Sequence, residues 1–503
     1  MSLDQLTSSA IVPLSRHFAS LATMALLASG CTIVAGPGDN AGNTDTGPDN
    51  DAVDAMFAAF DQPGSPGCGL AVAQDGELIY ARGYGYANLD HDIPNSPHTV
   101  FDVGSVTKQF NAASLSMLAQ EGRLSLDDDI RRWLPELPAY EPTITIRHLL
   151  HHTGGLRDYL NLFPLAGRND YFPISHAQIL AMMSRQRAPI FAAGERYRYS
   201  NTGYMLLAQI LERAGGKSLG EMAQARIFDP LGMTGSHMYE DLREVIPGRG
   251  IGYDRDETGH VRIVHNYNFD VTGDGQLYTT MPDLLRWDDW LHGDEPPRIH
   301  AMMLTAGYLN NGVPVGYAQG LVLGEYRGLR TVGHGGGSWG FVTQLVRFVE
   351  PALSIAISCN AGWARPGRLA EQVADHYLAD RIGPVEGDDA DRRPEAEGAN
   401  TSPAARAWTA EQQAAVAGEF YSLELDATYR FAPADDGMAL SIEQEAPLQV
   451  SLLADDTLEF SLGEEALGGT RKATLLLDRD RAGRVTGFRL SASSEHGLVF
   501  ERR

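Results

Sequence analysis

A chain of 503 residues has room for more than one domain, and its formal net charge of −25 argues against a nucleic-acid partner, which needs a basic stripe. Only three of its 40 lysines and arginines are lysine, Lys108, Lys217 and Lys472, so arginine serves almost everywhere that a positive charge suffices. A lysine kept against that bias is worth following, because lysine can give up its proton in a protein and arginine cannot.

Residues 1–30 read as an export signal. Arg16 and His17 precede the apolar residues 18–28, a run too short for a permanent transmembrane helix, and Ser29-Gly30-Cys31 supplies small residues before a cysteine. Leu27-Ala28-Ser29-Gly30-Cys31 resembles a bacterial lipoprotein box, which implies cleavage before Cys31, lipid on its sulfur, and a membrane-anchored position on the periplasmic or outer-membrane face. An ordinary secretory signal is the alternative. Residues 31–52 hold almost nothing to bury after Val34, the composition of a disordered tether. A second break at 383–408, rich in Pro, Gly, Ala and charge, reads as a linker between a main domain at 53–382 and a small domain at 409–503.

The main domain opens on a strand at residues 68–73, a turn at Gln74-Asp75-Gly76 and a returning strand at 77–82. Asp102-Val103-Gly104-Ser105-Val106-Thr107-Lys108 then leads into a helix, with Phe110, Ala113, Leu115, Met117 and Leu118 recurring up to the stop signal Gly122. Ser105 and Lys108 fall one turn apart on one face, where a lysine kept neutral by desolvation can take the proton of a serine hydroxyl. Free N–H groups at the helix start suit charge developing on a bound acyl group. His148, His151 and His152 stand at metal-like helical spacing. With no acidic ligand nearby and Gly154-Gly155 following, they read as a short capped helix packed by Leu149 and Leu150, and no metal site is assigned.

Tyr199-Ser200-Asn201 sits in a Tyr-rich turn before a helix at 205–214. Beside Lys108 the phenol could be held partly ionised and shuttle the serine proton, and the Asn201 carboxamide could bind a substrate amide. Gly273-Asp274-Gly275 feeds a helix whose start carries Thr280 and Asp283 as a capping box with Pro282 in the first turn, and is read as architecture without chemistry. In Gly333-His334-Gly335-Gly336-Gly337-Ser338-Trp339-Gly340, glycines let a ligand backbone approach a strand edge. His334 can point into the cleft, and the Gly337 N–H can join that of Ser105 as an oxyanion donor. The same stretch matches Gly-x-Ser-x-Gly around Ser338. A nucleophile elbow must run into a helix, whereas strands at 341–349 and 353–359 follow here, so Ser338 is not the nucleophile.

Ser-x-x-Lys, Tyr-x-Asn and His-Gly-Gly in this order resemble the serine β-lactamases and penicillin-recognising hydrolases, on the class C side, over residues 53–380. The resemblance implies an α/β (α+β) fold, an antiparallel sheet flanked by helices, and a serine hydrolase that works through an acyl-enzyme without a cofactor. It makes Ser105 the acylated nucleophile, Lys108 and Tyr199 the proton-transfer pair, and Asn201 a substrate ligand. His334, Gly335 and Gly336 become the substrate-binding strand edge, with Gly337 in the oxyanion hole. True class C enzymes carry Lys-Thr-Gly at the third motif, whereas His-x-Gly looks like the family's esterases, D-aminopeptidases and D-stereospecific peptidases. The expected substrate is a small ester or a D-amino-acid amide or peptide, cell-wall fragments and D-Ala-D-Ala ends included. The alternatives are a β-lactamase proper, or a penicillin or wall-peptide binding protein that does not turn over.

Eight short strands at 418–422, 427–431, 438–442, 448–453, 457–460, 472–477, 485–490 and 498–502 read as a small antiparallel β-barrel, similar to those appended to some D-aminopeptidase-like members. With Cys31 assigned to the signal, Cys68 and Cys359 remain. In the resembled fold the strands that they open and close are antiparallel neighbours, so the two are expected close together, with buried reduced thiols favoured over a bridge.

Overall fold

The computed structural model describes residues 44–45, 50–168, 174–264, 268–293, 297–383, 405–435, 437–443, 446–453, 457–464, 469–492 and 495–503. Seven strands form the central sheet: β1 (Thr44–Asp45), β2 (Cys68–Gln74), β3 (Glu77–Tyr84), β4 (Val322–Tyr326), β5 (Leu329–Ser338), β6 (Phe341–Phe348) and β7 (Leu353–Cys359). They pair antiparallel in the order β1-β3-β2-β7-β6-β5-β4. The turn after β2 carries positive φ at both Asp75 and Gly76, as a tight hairpin requires.

Helices cover both faces. Those used below are α1 (Asn50–Met56), α2 (Thr107–Gln120), α3 (Ile146–Leu150), α4 (Tyr159–Leu165), α5 (Asn201–Gly215), α6 (Met281–His292) and α7 (Pro366–Tyr377). Alternation along β2 divides the two cores. Cys68, Leu70 and Val72 pack with Val53 of α1 and Leu369 and Val373 of α7, while Ala71 and Ala73 face the larger core that holds Phe110 and Leu284. Small side chains on that second face let the helices lie close. A Cβ on Gly69 would sit 2.9 Å from the Phe101 ring. Thr280 caps α6 by accepting from the Asp283 N–H, but the Asp283 carboxylate turns to the Gly235 N–H and the Ser236 hydroxyl instead of reaching back, so half of the expected capping box forms.

The second part is a closed antiparallel barrel of eight strands, the number read from the sequence: β8 (Gly418–Ser422), β9 (Ala427–Ala434), β10 (Gly437–Ile442), β11 (Leu448–Leu452), β12 (Thr457–Glu464), β13 (Gly469–Arg479), β14 (Val485–Ala492) and β15 (Glu495–Arg502). Phe420, Tyr429, Phe431, Phe460, Phe488 and Phe500 are buried in it as a packed aromatic core. Residues Gly42–Arg503 form one compact unit that includes sheet and barrel.

Two boundaries differ from the expectation. The tether expected at 31–52 is cut short, because Thr44–Asp45 pairs with Ala81 and Tyr80 on the open edge of β3 and α1 begins at Asn50. The linker expected to run to 408 ends earlier: the Arg406 N–H donates to Leu452 O at 2.7 Å and Trp408 Nε1 to Val450 O at 3.1 Å, both on the barrel. A helix absent from the sequence reading, Ala410–Val416, follows, with Thr409 and Gln412 forming its capping box. The export signal, Cys31 and residues 384–404 lie outside the described residues. Cys68 and Cys359 are opposed in the β2–β7 register with Cα atoms 3.9 Å apart and form a disulfide, so the preference for reduced thiols was misplaced.

Candidate active site

The turn that carries Ser105 is built on close backbone approach. Gly104 adopts φ +50°, and a Cβ there would lie 2.7 Å from Gly337 N; a Cβ on Gly336 would lie 2.0 Å from Val103 O. Only glycines allow strand β5 to run against the single turn Gly104–Val106 that opens into α2. Buried Asp102 ties the two together, its Oδ1 accepting from the Gly104 N–H at 2.9 Å and its Oδ2 from the Ser338 hydroxyl at 2.6 Å. Ser338, excluded above as a nucleophile, is therefore a clamp between the strand and the turn.

Lys108 is fully buried one turn after Ser105. Its Nζ lies 3.1 Å from Ser105 Oγ, 2.9 Å from Asn201 Oδ1 and 2.7 Å from Asp274 O. A neutral amine has two hydrogens for the two carbonyl oxygens, which leaves its lone pair for the serine O–H. Burial lowers the ammonium pKa to about 8, while the nearby carboxylates of Asp274 and Asp158 hold it up. A group so placed is partly deprotonated near neutrality and can accept the serine proton.

Both carboxylates were missed in the sequence. Asp274 belongs to the loop read as architecture only; its Oδ2 accepts from the Tyr159 hydroxyl at 2.6 Å while its own carbonyl receives Lys108. Burial raises its pKa against the pull of Lys108. Asp158 caps α4, and its Oδ2 accepts from the Asn201 N–H at 2.6 Å; burial lifts its pKa to about 6. The available signal at Asp274 was its flanking glycines. Gly273 has φ +106° and a Cβ there would lie 2.7 Å from Tyr204 O.

Tyr199 and Asn201 arrive where the motif places them, with altered roles. The Tyr199 hydroxyl is buried without a hydrogen-bond partner among the described residues, close enough to Ser105 to be influenced by it. Its ring lies 4.9 Å from Lys108 Nζ. Burial above all, then Asp274 and Asp158, pushes the phenol well above its usual pKa, with Ser105 opposing. The partly ionised phenolate expected beside Lys108 is thereby corrected to a neutral phenol. Asn201 starts α5, so this helix begins earlier than the sequence indicated. Its carboxamide is engaged at both ends, by Lys108 and by Asp158 at 3.3 Å, so it holds the lysine.

The three histidines part ways. Thr145 and His148 cap α3 reciprocally, His151 faces Tyr317 O at 3.3 Å, and His152 Nδ1 accepts from the Ser200 N–H at 3.1 Å. His152, passed over as helix packing, thus fixes the Tyr199–Asn201 turn and packs 4.3 Å from the Tyr199 ring centre.

On β5, strand β4 pairs only as far as Gly333, so residues 334–338 have no strand partner on that side among the described residues. Gly335, Gly336 and Gly337 lie on this open edge. His334 is buried beside the site, its ring centre 6.0 Å from that of Tyr199: Nδ1–H donates to Gly335 O, and Nε2 accepts from the Tyr317 hydroxyl at 3.0 Å. Burial, then Lys108, lowers its pKa to about 4, so it is neutral near pH 7. It enters the site as an uncharged strand residue with both ring nitrogens engaged.

The family profile described as Beta-lactamase matches residues 53–377. Penicillin-binding protein 4* of Bacillus subtilis (strain 168) is 31% identical over 301 residues, 56% of this chain and 65% of that protein. A D-aminopeptidase of Gluconobacter oxydans (strain 621H) is 31% identical over 314 residues, 61% of this chain and 58% of that protein. The match thus spans about three-fifths of the length of these curated relatives. Among solved structures, the octameric penicillin-binding protein homologue from Pyrococcus abyssi has a TM-score of 0.58 at 22% identity, covering 90% of this chain and 100% of that one, which bears on the fold.

Proposed function

The chain belongs to the beta-lactamase family; from that premise we propose that it is a serine hydrolase that cleaves small esters or D-amino-acid amides through an acyl-enzyme on Ser105. The observation that carries the reading is the buried Lys108 amine, 3.1 Å from Ser105 Oγ with both carbonyl partners already supplied. Lys108 takes the serine proton as Oγ bonds to the substrate carbonyl carbon and the carbonyl oxygen takes up the electron pair. N–H groups of Ser105 and Gly337 are assigned to that oxygen. When the carbonyl reforms, the alcohol or amine leaves with the proton, relayed from Lys108 through the neutral Tyr199 hydroxyl. Water then repeats the sequence on the acyl-enzyme, and Ser105 recovers its proton.

The open β5 edge suits an extended acyl group laid alongside Gly335 and Gly336. His334 is neutral where true class C enzymes resembled by this chain place a lysine, so a free substrate carboxylate gains no charge there. This favours esters and amides over carboxypeptidase substrates and β-lactams. The relatives named D-aminopeptidase support a D-amino-acid acyl group. The Cys68–Cys359 disulfide supports export to an oxidising compartment, and anchoring through Cys31 completes the proposal.

The test is a screen of wild type and Ser105→Ala on p-nitrophenyl esters, D- and L-amino-acid amides and nitrocefin. Ser105-dependent turnover of esters or D-amides is expected. Nitrocefin as the preferred substrate, or permanent labelling by fluorescent penicillin without turnover, would overturn it.

A further inference from the structure

Glu495 opens β15 at the rim of the barrel and is fully buried, yet its partners lie in the main domain. One oxygen, Oε1, accepts from the Asp158 N–H at 3.3 Å, from Asn161 Nδ2 at 3.0 Å and from Arg198 Nη2 at 2.7 Å. A second barrel carboxylate, Glu424 between β8 and β9, lies 3.5 Å from Arg157 Nη1 and accepts from the Arg187 N–H at 3.1 Å. Adjacent residues Arg157 and Asp158 are thus each held by a different barrel glutamate.

These contacts lead to the nucleophile in three steps. Asp158 accepts from the Asn201 N–H, Asn201 Oδ1 accepts from Lys108 Nζ, and Lys108 meets Ser105. Arg198 directly precedes Tyr199 in the chain. A single carboxylate oxygen therefore joins the segment that carries Asp158 to the segment that carries Tyr199 and Asn201. A buried carboxylate is tolerated only when it is paired and hydrogen-bonded, and Arg198 supplies the charge partner.

We propose that Glu495 is a positioning residue for Lys108, so that the barrel completes the active site from behind. The barrel interior is packed with aromatic rings, and its influence on the site is exerted at this rim. Positioning by fixed groups matters because small displacements of a base from its proton donor slow proton transfer steeply.

The inference rests on the reading of Ser105 and Lys108 given above, and its test separates the two. Full-length protein is reacted with a fluorophosphonate probe, and the maximal labelling rate and the half-saturating probe concentration are measured. The fraction finally labelled counts the folded sites. For Glu495→Ala the maximal rate is expected to fall at least about tenfold with half-saturation within about twofold, and Glu495→Gln, which keeps an acceptor oxygen in place, is expected to recover most of that rate. A Glu495→Ala rate within about twofold of wild type overturns the proposal whatever happens to Tm, as does a loss confined to half-saturation. If Glu495→Ala does not fold, Asn161→Ala removes one of the three donors; it is expected to slow labelling several-fold, and an unchanged rate overturns the proposal. Ser105→Ala is run alongside. Labelling that survives there defeats the catalytic reading itself, whereas loss of labelling there with a normal Glu495→Ala rate defeats the positioning role alone.

Discussion

The barrel core and the pocket around Lys108 are buried to the same degree and by opposite means. Inside the barrel, Phe420, Tyr429, Phe431, Phe488 and Phe500 meet ring to ring, with Phe488 and Phe500 stacked at 4.5 Å. Around Lys108 the buried polar groups include Asp158, Asp274 and His152. Apolar packing stabilises without caring about protonation. A polar pocket is costly to bury and sets the proton affinity of what lies in it. The difference teaches where chemistry can reside: substitutions in the pocket should change rates and pH profiles, and those in the barrel core should change stability.

The largest expected effect is at the nucleophile. Ser105→Ala removes the hydroxyl placed 3.1 Å from the buried amine, so turnover and covalent labelling should both be lost. Ser338→Ala should retain measurable turnover, because that hydroxyl donates to Asp102 and only steadies the turn. Equal rates for Ser105→Ala and wild type would dissolve the contrast between pocket and barrel.

Next comes Lys108→Arg, which keeps the charge and forfeits the base. Losses on the order of a hundredfold in kcat are expected, close to those of Lys108→Ala. Near-normal rates in the arginine variant would make Lys108 a fixed cation and the pocket merely electrostatic.

The pH profile sharpens the comparison further. Wild-type kcat/KM should rise through about pH 8 as the Lys108 ammonium loses its proton. Asp274 raises that pKa, so in Asp274→Asn burial acts with less opposition and the acid limb should move to lower pH. A limb that stays in place or moves upward would mean that another group governs it.

Legibility in the sequence followed distance along the chain. Ser105 and Lys108 were readable because one helical turn forces them together, and the barrel because short alternating strands recur at even spacing. Asp158 and Glu495 were not readable, because each comes near the site only through folding and neither carries a spacing signal; at Asp274 the flanking glycines marked a tight loop but not that its carbonyl meets Lys108. The identity of His334 was visible, but its neutrality was not, since that depends on burial and on the Tyr317 hydroxyl. The phenolate reading of Tyr199 failed for a related reason: closeness to a cation was legible, and desolvation was not.

The smallest effect on chemistry is expected from the barrel interior. Phe488 is fully buried against Phe420, Phe431 and Phe500, so Phe488→Ala should lower unfolding stability by about 3 to 5 kcal/mol through lost contacts and the cavity left behind. Urea unfolding reads that loss. Glu424 and Glu495 lie at the rim, outside this aromatic stack, so the protein that remains folded should turn over within about twofold of wild type per labelled site. A large drop in rate per labelled site would show that the aromatic interior and the lysine pocket are energetically one, and that the barrel acts through its core as well as through its rim.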